Sequence, residues 1–169
     1  IQLKVFAWSM ILVNDLLIFL CLKTLTKNDL KAFSGTFFYV LLQPILEGNM
    51  LWFDTALVTP VLFALYFLLL SIKDGFRKNS YLFIAGIFLG IAILTKQTAL
   101  IFLFVTVLFL VLNKVSFKKL LVIMAGPLLL SSLLFIRLLE EGALLGFWNW
   151  TFYYPATYWT DFPTYVNLA

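Results

Sequence analysis

Residues Tyr81 to Leu112 read YLFIAGIFLGIAILTKQTALIFLFVTVLFLVL, two apolar runs meeting at a single charge, Lys96. Such runs predict two membrane helices that turn back on each other, because in hydrocarbon a backbone can satisfy its amides only within the helix itself. The arms, about 80–95 and 98–112, hold about 15 or 16 residues each. At 1.5 Å per residue they reach about 23 Å, less than a hydrocarbon core near 30 Å. The tip of this short hairpin (about 80–112) is therefore expected to be recessed.

The rest of the chain agrees with a membrane setting. It is 63% hydrophobic and 12% charged, where soluble domains carry about 25% charged residues. Six apolar segments, at about 5–22, 32–46, 50–72, 80–95, 98–112 and 119–139, predict an all-α polytopic bundle of about six transmembrane helices. One cysteine, Cys21, permits no internal disulfide, and with no histidine in the chain a protein-ligated zinc is not expected. The formal charge of +4 would suggest nucleic acid for a soluble protein. Here the charges are segregated along the chain, so no nucleic-acid partner is expected. Ile1 in place of Met predicts an internal segment or a processed fragment.

Basic residues collect in alternate connections: Lys23, Lys27 and Lys31, then Lys73, Arg77 and Lys78, then Lys114, Lys118 and Lys119. The positive-inside rule puts these three connections in the cytoplasm. The other side receives Glu47, Asp54, Glu140, Glu141 and Asp161, with Lys96 the main basic exception. Lys96 has two readings. It snorkels to the headgroups or caps a turn, or it binds the phosphate of a lipid substrate, assisted by Gln97, Thr95, Thr98 and the N-terminus of the following helix.

The stretch EGNMLWFDT, residues 47–55, places Glu47, Asn49 and Asp54 on the same predicted side as Lys96. Asp54 serves equally as a helix-start carboxylate favoured by the helix dipole, and Trp52 and Phe53 as interfacial belt residues. Asp15, beside Asn14, falls near the middle of the first helix, where a lone carboxylate costs about 2.5–3.5 kcal/mol; packing against Gln43 or a hydrated cavity would supply what it needs. Gly86 and Gly90 form a GxxxG packing signal. Pro44, Pro60 and Pro127 interrupt helices two, three and six, with a kink expected at Gly126–Pro127. After residue 146 the chain turns aromatic, GFWNWTFYYPATYWTDFPTYVNLA, which divides it into a bundle, 1–146, and an aromatic extracytoplasmic interfacial loop or short helix, 147–169. The alternative for the latter is a stacking platform for a sugar ring, with Asn149 or Asp161 on its hydroxyls.

The succession DTALVTPVLFALYFLLL, a basic turn, then YLFIAGIFLGIAILTKQTALIFL resembles the GT-C membrane glycosyltransferases. The resemblance is to the protein mannosyltransferase-like and aminoarabinose-transferase-like members of glycosyltransferase family 39, over about residues 5–112. It implies transfer of a sugar from a polyprenyl-phosphate carrier to an acceptor (lipid, glycan or protein) on the extracytoplasmic face of the plasma membrane. Asp54 resembles the family's second acidic residue and Lys96 the lysine of its Thr-Lys motif. The family's principal catalytic Asp lies before the helix that 5–22 resembles, so the fragment alone is expected to be inactive. Inverting transfer needs a carboxylate to take the acceptor proton and a positive charge, or a divalent metal, to stabilise the phosphate leaving group. Lys96, Gln97, Asn49 and Asp54 are accordingly the expected substrate-binding residues, with Asp54 and Glu47 the candidate catalytic acids. Rival readings are a transporter or flippase for a lipid-linked sugar, with which the short hairpin around Lys96 is compatible but whose usual internal repeats are not evident among the six segments, and a noncatalytic scaffold subunit.

Overall fold

The computed structural model describes residues 2–43, 45 and 53–158, and side chains within 4–43, 45 and 56–157. Every regular element among them is helical: α1 (Gln2–Thr26), α2 (Asp29–Leu42), α3 (Phe53–Lys73), α4 (Asn79–Thr95), a 3₁₀ turn (Gln97–Ala99), α5 (Leu100–Leu112), α6 (Phe117–Glu140), α7 (Leu144–Trp148), a π-helical turn (Asn149–Tyr153) and α8 (Tyr154–Tyr158). Six of these stand where the six apolar segments were predicted. Three are long and apolar enough to cross a membrane, over Lys4–Thr26, Ala56–Lys73 and Phe117–Glu140, while Asn79–Thr95 and Gln97–Leu112 are shorter apolar arms. The chain is an all-α membrane bundle.

The basic connections are tight because each turns through a left-handed residue. Lys27 (φ 53°), Gly75 (62°), Phe76 (58°) and Lys114 (54°) supply that conformation, which ends a helix by turning its last carbonyls back onto the following amides. Asn28 then caps α2, its side chain accepting from the Lys31 amide at 3.0 Å. Asp74 holds the next turn by accepting from the Lys78 amide at 2.9 Å.

The chain divides into two compact units, Ile1–Leu130 and Ser131–Ala169. In the first, Ala64, Leu68, Leu82, Ala85, Leu89, Leu103, Leu110 and Ile123 form the core. The GxxxG pair acts where α4 meets α6. A Cβ on Gly86 would collide with the Ile123 carbonyl, and one on Gly90 would stand 2.9 Å from Pro127 Cα. Gly126 faces the Gly86 backbone as closely. Small residues here let two backbones touch, the usual means of association where lipid removes the hydrophobic drive. Pro60 and Pro127 lie inside continuous helices, α3 and α6, and both are buried; neither ends its helix. Pro44 lies outside the described residues.

In the second unit Arg137 pairs with Glu141 at 2.8 Å and Glu140 at 3.6 Å. The aromatic segment is helical from Leu144 to Tyr158, with Trp148 against Phe152 at 4.9 Å and Trp150 against Tyr154 at 5.0 Å between ring centroids.

Candidate functional site

Two ring stacks fix the heights of α3 and α4. Phe63 lies on Phe88 at 4.5 Å and 11°, and Phe67 stacks on Phe88 at 6.1 Å. The helices are neighbours joined by a tight turn, so they run antiparallel. Asp54 stands nine residues before Phe63 and Lys96 eight beyond Phe88, rises of about 14 and 12 Å at 1.5 Å per residue. The start of α3 and the end of α4 therefore share one level at the same end of the bundle. Asp54 lies in the first turn of α3; its side chain, with Glu47, Asn49 and Trp52 as whole residues, lies outside the description.

At that level the α4–α5 chain unwinds for one residue. Lys96 is extended (φ −154°, ψ 126°) between the two helical segments. Its amide donates to the Ala92 carbonyl at 3.0 Å and its carbonyl accepts from the Ala99 amide at 2.9 Å, so the break is held on both sides. Lys96 and Thr95 are half-buried, Gln97 and Thr98 exposed. Thr95 donates its hydroxyl to the Ile91 carbonyl at 2.9 Å, which leaves it an acceptor only and removes it as a donor to an anion. The cavity along this hairpin, of about 380 Å³, opens on α3, α4 and α5 between Val61, Ala64, Leu68, Leu89, Phe102 and Phe109. It is apolar, and its Thr106 hydroxyl is spent on the Phe102 carbonyl at 2.7 Å.

A further pair joins the level from α1 and α2. Gln43 Nε2 donates to Asp15 Oδ1 at 2.7 Å, which supplies the partner that a carboxylate within a membrane helix needs. Cys21 Sγ reaches the Leu62 carbonyl at 4.0 Å, and Lys23 to Lys27 line one cleft with Tyr66 to Lys73, so α1 and α3 run parallel. Six residues before Cys21 is Asp15 and six before Leu62 is Ala56, two residues or about 3 Å from Asp54. Asn14 beside it is 3% exposed, and its Oδ1, like Thr59 Oγ1 of α3, is buried with no hydrogen-bond partner among the described residues. Asp15, held by the Gln43 that the sequence suggests as its partner, and Asn14 beside it thus belong to the same layer as Asp54 and Lys96. Only the pairing of helices could show this.

Residues 2–139 match the family described as dolichyl-phosphate-mannose-protein mannosyltransferase. The chain belongs to this family. Its members are membrane glycosyltransferases of the GT-C type, as the resemblance over 5–112 implied, and the match extends that likeness through α6. No curated protein and no solved structure matches the chain. For a mannosyltransferase family the layer offers suitable chemistry: an ammonium at a helix break suits a phosphate, and carboxylates suit hydroxyls or a proton to be taken. Among the described residues no group of three His, Cys, Asp or Glu side chains stands together as a metal site. Gln97 and Lys96 are brought together by the 3₁₀ turn; Asn149 lies on the π-helical turn of the second unit.

Proposed function

We propose that this chain forms the donor-binding part of a transferase that moves a sugar from a polyprenyl-phosphate carrier to an acceptor on the extracytoplasmic face of the plasma membrane. Lys96 holds the lipid phosphate and stabilises it as it leaves, with Gln97 as a hydrogen-bond donor beside it. Asp54, with Glu47 and Asn49 of the segment before α3, orients the sugar or the acceptor hydroxyl. The proton of that hydroxyl goes to a carboxylate expected before Ile1, a role the resemblance implies. The observation that supports this reading is the shared level of Lys96 and the start of α3, inside a family that acts on a lipid-linked sugar by its description.

In the intact enzyme, Lys96→Ala should lower transfer from a polyprenyl-phosphate donor by about 10²–10³, the usual loss when one group stabilising developing charge is removed, and Lys96→Arg should restore part of it. Lys118→Gln, in a basic connection, should leave transfer unchanged. Full activity in Lys96→Ala overturns the phosphate role. Movement of the lipid-linked sugar across the bilayer with no transfer would favour a flippase instead.

A further inference from the structure

A cleft of about 320 Å³ opens at the other end of the same bundle, where α1 and α3 finish and α2 begins. Its lining carries Lys23 from the last turn of α1, Lys27 from the α1–α2 connection and Lys73 from the end of α3, with Leu20 and Leu70 about one turn further into the bundle. Asp29 is the one acidic residue of the lining; it pairs with Lys23 at 3.0 Å. The cleft therefore keeps two further positive charges, those of Lys27 and Lys73. Thr24 donates its hydroxyl to the Leu20 carbonyl at 2.8 Å, and Tyr66, two turns before Lys73 on α3, also lines the cleft.

Lysines at helix C-termini are favoured by the dipole alone, and that accounts for Lys23 and Lys73 singly. It does not account for a concave site with cations above and leucines beneath. That pairing matches an amphiphile, a phosphate at the rim continuous with a chain on the apolar face, as basic clefts between membrane helices take anionic headgroups. Leu16, one turn along α1 from Leu20, is exposed and continues the apolar track. We propose that this cleft is a binding site for the phosphate of an anionic membrane lipid, seated between Lys27 and Lys73. It is distinct from the donor site and does not depend on the transferase reading.

The test is retention of phosphatidylglycerol against phosphatidylcholine by the full chain, purified in detergent from mixed vesicles and measured by native mass spectrometry. The wild type should retain phosphatidylglycerol about thirtyfold better, the scale expected of two lysines at an anionic surface at about 1 kcal/mol each. Lys27→Gln/Lys73→Gln should abolish the preference, and Lys27→Arg/Lys73→Arg should keep it, which separates loss of charge from loss of fold. Lys118→Gln/Lys119→Gln, equal in charge change but outside the cleft, should have no effect. Equal retention of both lipids by the wild type, or equal loss from the Lys118/Lys119 pair, overturns the site. Inorganic phosphate added as a competitor should displace little; full displacement would show a free-anion site and overturn the lipid assignment.

Discussion

Asp15 and Gln43 show how a single hydrogen bond makes a membrane helix tolerable. The 2.7 Å contact gives a carboxylate within α1 a donor from the end of α2, and removing only the donor leaves a half-buried acceptor without one, a loss of up to about 1–3 kcal/mol. Gln43→Leu should thus destabilise the bundle more than Asp15→Leu/Gln43→Leu, in which both partners are apolar; a double-mutant cycle on thermal unfolding in detergent checks this. Additive losses would mean the two side chains do not depend on each other. Asp54 makes a different demand, since a first-turn carboxylate is served by the helix dipole. Asp54→Asn should keep α3 intact by circular dichroism yet lower transfer by about 10²-fold, the scale on which misplacing a reacting group costs rate. Unchanged transfer would reduce Asp54 to a helix-start residue.

The glycines set the spacing of elements. Gly86 and Gly126 meet backbone to backbone, and a methyl at either has no flexible side chain to push aside. Gly86→Ala should cost about 1–3 kcal/mol, as overpacking does, and lower the unfolding temperature. Gly146→Ala, with nothing within 4 Å, should be neutral or gain up to about 1 kcal/mol from helix propensity. The GxxxG signal was legible in the sequence because its spacing puts both glycines on one face; its partner on α6 was not, because periodicity says nothing of which helix lies opposite. Pro60 and Pro127 were legible as residues and misleading as breaks. Pro127 packs its Cα against Gly90 within an unbroken α6, and a membrane helix tolerates the lost amide bond where neighbours and local adjustment compensate. The aromatic segment carried a helical signal in its i, i+4 pairs, Trp148 with Phe152 and Trp150 with Tyr154, which the near-continuous aromatic composition obscured.

For the whole molecule, the six helices were readable because apolar runs and lysine-rich turns alternate without overlap. Heights were not readable: that Asp15, Asp54 and Lys96 share a level follows only from the ring stack and the Cys21 contact. The predicted sidedness is testable by labelling. With Cys21 replaced, Lys31→Cys and Lys114→Cys should react with an impermeant maleimide only from the cytoplasmic side, and Gln97→Cys only from the outer side. Reaction of all three from one side would refute the alternation. The central claim is that the Lys96 ammonium receives the phosphate of the lipid carrier, and binding of polyprenyl phosphate to the intact enzyme measures it most directly. Lys96→Ala should weaken that binding at least tenfold, with Lys96→Arg close to wild type and neutral polyprenol bound equally by all three. Equal affinity of wild type and Lys96→Ala for the phosphate would contradict it.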